Sequence, residues 1–204
     1  MNQLPEKTVE RLILYRRTLA VIASEKEYVF SHELAHLLHL TSVQVRRDLM
    51  LIGYTGTLRK GYNVNDLISF ITKKLEAEIP FKVCVVGMGN LGRAITAYFN
   101  DRSTNLKIVA TFDVDPDKIN TTISGIPCYD SSKLFDIIRA ENIKIAIITT
   151  PPEVAAIVCE QLVVTGIKGI MNYTPVKLKV PNHVFLDEYD MITSLEKISF
   201  YIRK

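Results

Sequence analysis

Hydrophobic residues in the first third of the chain recur at the three- and four-residue spacing that is typical of amphipathic helices. The clearest run is Pro5–Ser24, which contains Leu12, Ile13, Leu19 and Ile22 and places Pro5 near the first turn. Further on, Thr41 is followed three residues later by Gln44, the pattern of a capping box, so a helix should begin directly after Thr41. The pattern therefore predicts four helices, over Pro5–Ser24, Ser31–Leu38, Ser42–Ile52 and Asn65–Glu76, with Gly53 ending the third.

The pattern changes near Glu76–Pro80, after which apolar runs of strand length alternate with helical segments. The runs are nearly continuous Val, Ile and Ala, as strands buried on both faces of a parallel sheet require. This alternation predicts a doubly wound parallel sheet. The predicted strands are Lys82–Val86, Lys107–Asp113, Ile143–Thr150 and Lys168–Tyr173, and the helices are Leu91–Phe99, Ser131–Glu141 and Glu153–Val164. A last helix, about Asp190–Ile202, carries Ile192, Leu195, Ile198 and Ile202 on one face.

Composition excludes several classes of protein. No apolar run reaches the roughly 18–20 residues of a membrane span, and the N-terminus lacks the basic start and apolar stretch of a secretory signal, so no membrane contact and a cytoplasmic location are expected. Three widely spaced cysteines without a CxxC pair argue against a disulfide framework or a zinc site. A buried structural role is favoured for Cys84, and a thiol redox role stays open for Cys128 and Cys159.

The strongest chemical motif is the GxGxxG of Gly87–Gly92, which follows an apolar strand and opens a helix. Its glycines allow a tight turn, close approach of the backbone to a pyrophosphate and close helix–strand packing, while the helix N-terminus faces the phosphates. Asp113 ends the next strand, where an acid binds the adenosine ribose and repels a 2′-phosphate. No Arg follows, and Lys118 is the nearest downstream base. The motif predicts a site for NADH and NAD+ in preference to NADP(H).

The segment from Phe30 to Leu51 has the spacing of a helix-turn-helix. Its second helix would point Gln44, Arg46 and Arg47 outward, while four apolar positions, Val43, Val45, Leu49 and Ile52, would pack inward. The loop that follows contains two glycines and the basic pair Arg59 and Lys60, and is suited to be a wing. A solvated basic face is the alternative reading of the same charges. The predicted fold is thus α/β, with a winged-helix (helix-turn-helix) domain at 1–78, a Rossmann-like parallel-sheet domain at 79–188 and a C-terminal helix at 189–204.

Two enzyme motifs also occur. His32 and His36 flank Glu33 in an HExxH pattern, but the predicted helix is short and no third ligand is apparent, so no metal site is expected. Tyr173 and Lys177 match the Tyr-xxx-Lys pair of short-chain dehydrogenases, yet Pro175 lies between them. The same loose pattern occurs at Tyr129 and Lys133. No catalytic residue is predicted, and an NAD-dependent oxidoreductase with an accessory helical domain is the alternative function.

Taken in order, several stretches resemble the Rex family of redox-sensing transcriptional repressors. They are Gln44–Leu49, Val86–Arg93, Phe112–Pro116 and Gly166–Val176, and the similarity spans nearly the whole chain. The resemblance implies a homodimer on an inverted-repeat operator, released when NADH binds, while NAD+ competes and permits DNA binding. It also implies that the terminal helix swaps between subunits.

The resemblance further implies site residues. Those expected to contact DNA are Ser42, Gln44, Arg46, Arg47, Arg59 and Lys60, and those expected to bind the cofactor are Gly87, Met88, Gly89, Asn90, Leu91, Gly92, Asp113, Thr149, Pro151 and Tyr173. Asp190 is expected to switch partner between Arg17 and Tyr98 with the cofactor state. Leu58 replaces an arginine that is common in the family's wing, and Met191 replaces an aromatic residue. Because the wing is altered at Leu58, a nucleotide-binding interaction protein that has lost DNA binding is a third reading.

Overall fold

The computed structural model describes residues 4–57, 59–75, 80–100 and 105–203. The chain divides into two compact units, Met1–Glu78 and Ile79–Lys204. Leu58 lies outside the described residues, so its place in the wing has no structural account.

Within its described residues, the first unit contains four helices and a short two-stranded sheet. Their bounds are α1 Glu6–Ile22, β1 Tyr28–Val29, α2 Ser31–Leu37, α3 Ser42–Leu51, β2 Tyr62–Asn63 and α4 Val64–Leu75. The four predicted helices are confirmed, with described ends within two residues of the predicted ones. Helix α1 packs on α4, α2 packs on α3, and one apolar core that includes Leu12, Leu19 and Leu49 joins them.

Local chemistry sets the ends of α3. The Thr41 hydroxyl accepts a hydrogen bond from the Gln44 amide at 3.2 Å, as the capping box predicts. Gly53 follows α3 with φ of +81°, a left-handed conformation that favours glycine. The two strands pair antiparallel, with Val29 opposite Tyr62, where the loop that follows α3 ends.

One inward position in α3 was predicted wrongly. Val45, Leu49 and Ile52 are buried, but Val43 is 64% exposed. The inward face of α3 is completed instead by Asp48, which is 2% exposed. Val43 therefore belongs to the same solvent-facing surface as Arg46 and Arg47.

The second unit is a seven-stranded sheet with the order β5-β6-β4-β3-β7-β8-β9. All neighbouring strands are parallel except β5 and β6. The bounds are β3 Phe81–Val86, β4 Leu106–Asp113, β5 Thr122–Ile123, β6 Ile126–Asp130, β7 Ile145–Ile148, β8 Gly169–Asn172 and β9 Phe185–Glu188. The four predicted strands are β3, β4, β7 and β8, which form the centre of the sheet; β5, β6 and β9 were not predicted.

The helices of this unit are α5 Asn90–Asn100, α6 Leu134–Ala140, α7 Pro152–Thr165 and α8 Met191–Tyr201. Helix α6 is shorter than predicted because Ser131–Lys133 form a separate 3-10 turn, capped by the Asp130 side chain. Buried apolar residues form two clusters, and Phe112 and Ile148 belong to the larger one. In the described part of the chain, no helix is long and apolar enough to cross a membrane.

The sheet topology marks one edge as a ligand position. Strand β4 lies on one side of β3 and β7 lies on the other, so the connections leave β3 and β7 in opposite directions. In open α/β sheets, such a switch point opens a crevice at the carboxyl ends of the strands. The residues that follow β3, β4 and β7 therefore meet at this crevice.

Candidate dinucleotide site and nucleic-acid interface

The glycine loop between β3 and α5 lies at the crevice. Gly87 has φ of +96°, and its amide donates to the Phe112 carbonyl at 2.8 Å. A Cβ atom at Gly87 would lie 2.8 Å from the backbone of Thr149, and one at Gly92 would overlap the Gly87 carbonyl oxygen. The fold itself therefore requires glycine at the first and third positions of the fingerprint.

Gly89, the middle glycine of the fingerprint, is not explained by packing or by backbone conformation. A Cβ at Gly89 would meet no atom within 4 Å, and Gly89 is not among the residues with positive φ. The chain's own packing and backbone therefore do not require glycine here. The open space adjoins the N-terminus of α5, where free amides and the helix dipole favour a phosphate. This cradle fits the pyrophosphate of a dinucleotide.

Two threonines follow β7 beside the glycine loop. The Thr149 hydroxyl lies 2.7 Å from the Gly87 carbonyl oxygen, to which it donates. The Thr150 hydroxyl is buried and, within the ranges that the structure describes, has no hydrogen-bond partner. Buried polar groups nearly always have a partner, so an orphaned hydroxyl at the crevice is a group that a bound ligand can satisfy. Sequence reasoning missed Thr150, because only the fold shows which hydroxyls are left unpaired.

Asp113 ends β4 and is 8% exposed. Its Oδ2 accepts from the Met88 amide at 2.7 Å, and its Oδ1 accepts from the Asp115 amide at 2.9 Å. The Lys118 ammonium lies 3.2 Å from Oδ2. Burial works to raise the pKa of Asp113, but these donors outweigh burial and hold that pKa below its ordinary value. Asp113 is therefore an anion at neutral pH, placed as predicted next to the glycine loop.

The other predicted cofactor residues lie around the same edge. The Met88 side chain is fully buried, so it contributes its backbone to the loop and its side chain to the core. Asn90, which is exposed, and Leu91, which is half-buried, form the first turn of α5. Pro151 precedes α7, and the ring of Tyr173, just after β8, packs 5.5 Å from that of Tyr189.

In the first unit, the surface of α3 is basic. Arg46 and Arg47 are exposed, while Ser42 and Gln44 are half-buried. The Arg46 guanidinium donates to the Ser31 hydroxyl at 3.1 Å, which holds it beside the start of α2. Together with exposed Val43, this face offers donors and an apolar group, the chemistry that reads base edges in a major groove.

The loop after α3 forms a turn between Thr57 and Gly61, whose backbone groups exchange hydrogen bonds of 2.8 and 3.0 Å. Gly61 has φ of +77°, and a Cβ there would lie 2.5 Å from the Val29 carbonyl oxygen. Arg59 and Lys60 are exposed at this turn, and the Lys60 ammonium lies 5.2 Å from the centre of the Tyr28 ring. The geometry is that of a basic wing.

A buried charge cluster, which sequence reasoning missed, fixes α3 to α1. The Asp48 carboxylate accepts two hydrogen bonds from Arg11, at 2.6 and 2.8 Å, and one from the Tyr15 hydroxyl at 2.7 Å. Burial works to raise the pKa of Asp48, but the bonds from Arg11 and Tyr15 outweigh it and lower that pKa. The one signal in the sequence was the spacing of Asp48, which falls on the inward face with Val45 and Leu49.

The predicted switch residues lie in both units. Arg17 is exposed on α1, and Tyr98 is 55% exposed on α5. Asp190 is the N-cap of α8, where its Oδ1 accepts from the Ile192 and Thr193 amides at 2.9 and 3.1 Å. The hydrogen bond from the Thr193 side chain is the main cause that lowers the pKa of Asp190. In this structure Asp190 therefore stabilises its own helix.

The two enzyme motifs are not assembled. Among the described residues, no three His, Cys, Asp or Glu side chains are placed to hold a metal ion, and Glu33 is paired with Lys26 at 2.6 Å. Tyr173 and Lys177 lie in a segment without helix, and the Lys177 ammonium donates to Glu188 at 2.7 Å. The Tyr-xxx-Lys pair therefore lacks the shared helix face that it needs.

All three cysteines are buried and unpaired. Burial raises the pKa of the Cys84 thiol to about 12, and it also raises the pKa of Cys128 and of Cys159. Because the thiolate is the reactive form, none of these thiols is poised to react at neutral pH.

Comparisons with known proteins match both units. The family described as "CoA binding domain" matches residues 78–176, and the family described as "Putative DNA-binding protein N-terminus" matches residues 3–49. The redox-sensing transcriptional repressor Rex of Bacillus licheniformis is 37% identical over 203 residues, which are 99% of this chain and 94% of that protein. Rex of Anoxybacillus flavithermus is 39% identical over 98% of this chain and 95% of its own length.

Solved structures agree. RSP, a Rex-family repressor, has a TM-score of 0.88 at 29% identity, with coverage of 99% of this chain and 95% of its own. RSP in complex with β-NAD+ and operator DNA has a TM-score of 0.92 at 30% identity, with coverage of 99% and 94%. Near-complete coverage in both directions extends the similarity across both units, and the chain belongs to the Rex family of redox-sensing transcriptional repressors.

Proposed function

We propose that this protein represses transcription by binding operator DNA through α3 and the wing, and that NADH releases it from DNA. The observation that carries the cofactor half is Gly89, the one fingerprint glycine that the fold itself does not require. One structure of RSP contains β-NADH, and another contains β-NAD+ and operator DNA. These structures support the proposal that this family member also binds the dinucleotide and operator DNA.

In the cofactor site, the Gly87–Gly92 loop and the start of α5 would hold the pyrophosphate, and Asp113 would hold the adenosine ribose. Thr149, Pro151 and Tyr173 would line the remaining part of the crevice. Bound NADH would supply a reduced nicotinamide, which in this role acts as a signal and is not oxidised by the protein. Neither Tyr173 and Lys177 nor Tyr129 and Lys133 share a helix in the structure, so neither match to the Tyr-xxx-Lys motif supports an oxidoreductase.

In the DNA site, α3 would enter the major groove with Arg46, Arg47 and Gln44 toward base edges and phosphates, and Ser42 toward the backbone. Exposed Val43 suits contact with a thymine methyl group. Arg59 and Lys60 of the wing would contact phosphates or the minor groove.

The assembly we propose is a homodimer on an inverted-repeat operator, because two-fold symmetric sites match two-fold symmetric proteins. Helix α8 and its C-cap residue expose a row of large apolar side chains, Ile192, Leu195, Ile198 and Ile202, which supports the swapping of this helix into the partner subunit. Asp190 would then exchange Arg17 for Tyr98 as the cofactor state changes. A cytoplasmic location is supported by three cysteines that remain unpaired, as a reducing compartment permits.

The DNA half is tested with a duplex selected by the protein from a random-sequence pool in the presence of NAD+. A base-reading arginine contributes about 1–3 kcal/mol, so Arg46→Ala with Arg47→Ala should weaken binding at least tenfold and relax sequence preference. Arg59→Ala or Lys60→Ala should lower the salt slope by about one unit, because each removes one cation from a phosphate. The double variant Lys73→Ala with Lys74→Ala, which removes two exposed charges at the end of α4, is the matched control. Wild-type affinity without Arg46 and Arg47 would remove α3 as the recognition helix.

A further inference from the structure

The Asp113 carboxylate has no free acceptor position. Oδ2 lies 2.7 Å from the Met88 amide and 3.2 Å from the Lys118 ammonium. Oδ1 lies 2.9 Å from the Val114 amide and 2.9 Å from the Asp115 amide. An ionised carboxylate has about four lone-pair positions, and four donors occupy them. A ribose hydroxyl that donates to Asp113 must therefore displace one of these donors.

Of the four donors, Lys118 is the one that can move away from Asp113 at a small cost in free energy. Three are backbone amides, which cannot move without the chain: the amide of Met88 in the glycine loop, and those of Val114 and Asp115 in the turn after β4. Lys118 is a flexible side chain with a second anchor, because its ammonium also lies 3.1 Å from Asp115 Oδ2. Asp115 is the more accessible acid, with 40% of its side chain exposed against 9% for Asp113. Lys118 can thus give up Asp113 and remain paired.

We propose that Lys118 determines how strongly the site prefers NADH to NADPH, an inference that rests on the proposed cofactor site. Lys118 competes with the ribose hydroxyls of NADH for Asp113, which weakens NADH binding. The same ammonium partly neutralises the acid that would repel the 2′-phosphate of NADPH, and it offers that phosphate a cation. Both effects reduce discrimination, so removing the charge should sharpen it.

The test measures NADH and NADPH affinity by calorimetry on the 204-residue chain and its Lys118→Met variant. A charge-assisted hydrogen bond is strong enough to change affinity about tenfold. We therefore expect the ratio of the NADPH to the NADH dissociation constant to rise about tenfold, with NADH bound more tightly and NADPH more weakly. Lys118→Arg keeps the cation and should stay near the wild-type ratio. Lys107→Met, at the opposite end of β4, removes an exposed lysine and should change neither constant.

A structural role for Lys118 gives the opposite result. If Lys118 only holds Asp113 in place, its removal should weaken NADH binding and leave the ratio unchanged or lower. Lys118→Gln, which is neutral but still able to hydrogen-bond Asp115, provides a second neutral variant and should also raise the ratio. An unraised ratio, or weaker NADH binding, in both neutral variants overturns the proposal. Failure of the wild-type protein to bind NADH at all would instead contradict the proposed function.

Discussion

The contrast between Gly89 and Gly92 gives a sharp test of the cofactor site. Gly89→Ala adds a methyl group to open space, whereas at Gly92 the same methyl would overlap the Gly87 carbonyl oxygen and lie 2.9 Å from the Thr149 hydroxyl. The two variants make the same chemical change at positions three residues apart. The structure therefore predicts that the first acts on the ligand and the second on the fold.

The magnitudes follow from these distances. Gly89→Ala should change the free energy of unfolding by less than about 1 kcal/mol, toward greater stability, because Ala restricts the unfolded chain. It should weaken NADH binding at least tenfold, since overpacking a tight contact costs about 1–3 kcal/mol. Gly92→Ala meets backbone that cannot move aside, so it should lower the free energy of unfolding by about 1–3 kcal/mol.

The assays are thermal unfolding without ligand and calorimetric titration with NADH. Gly169→Ala is the matched control, because its Cβ would make only an ordinary 3.7 Å contact with Ile145 at the start of β8, away from the carboxyl ends of the strands. That variant should keep both stability and NADH affinity. Wild-type affinity in Gly89→Ala would refute the reasoning that a ligand, and not the fold, requires this glycine.

Four further predictions concern buried side chains. Asp48→Ala leaves Arg11 without its buried partner and should destabilise the first unit by about 3 kcal/mol; because it also removes the bonds that join α3 to α1, it should weaken DNA binding in a gel-shift assay while NADH titration stays near wild type. Because the pKa of Asp48 is lowered in the folded state, its stabilisation is fully present above about pH 4 and is lost as pH falls further; acid unfolding of Asp48→Asn should lack this component. Thr150→Val removes an unpartnered buried hydroxyl and should raise the thermal midpoint slightly yet weaken NADH binding, and a lower midpoint with unchanged affinity would contradict this. The three thiols should react with Ellman's reagent only on unfolding, so rapid labelling of the native protein would revive a thiol redox input.

Much of the fold could be predicted from the sequence, because central parallel strands and amphipathic helices have strong periodic patterns. The outer strands β5 and β9 and the short strand β6 could not, since a strand such as Phe185–Glu188, with a half-polar sequence, lacks the continuous apolar run. Val43 was assigned inward because apolar character alone does not distinguish a core position from a contact surface. Here a charged residue, Asp48, occupies the inward position, because Arg11 and Tyr15 donate hydrogen bonds to its carboxylate.

The cofactor site, too, could be predicted from the sequence only in part. The glycine motif and Asp113 were predictable because their spacing along β3, α5 and β4 is fixed by the topology. The pairing of Lys118 with Asp113 and the orphaned Thr150 hydroxyl depend on side-chain directions in three dimensions. Sequence spacing indicated Lys118 only as the nearest base downstream of Asp113, without showing that it occupies an acceptor position.

The proposed function requires the two sites to be coupled in the proposed homodimer, so NADH and DNA must weaken each other's binding by the same factor. Asp190→Asn is the informative variant, because Asn is as good an N-cap as Asp and should preserve the start of α8 while removing the charge that would switch partners. It separates the coupling from helix stability, which Asp190→Ala would not.

The most direct measurement is therefore a thermodynamic cycle, in which DNA affinity is measured at increasing NADH and NADH affinity is measured with and without the selected duplex. The proposed coupling predicts equal reciprocal factors of at least about fivefold in the wild-type protein. In Asp190→Asn it predicts NADH binding within about tenfold of wild type and the disappearance of most of that coupling. DNA affinity that is independent of NADH in the wild-type protein, although each ligand binds alone, would contradict it.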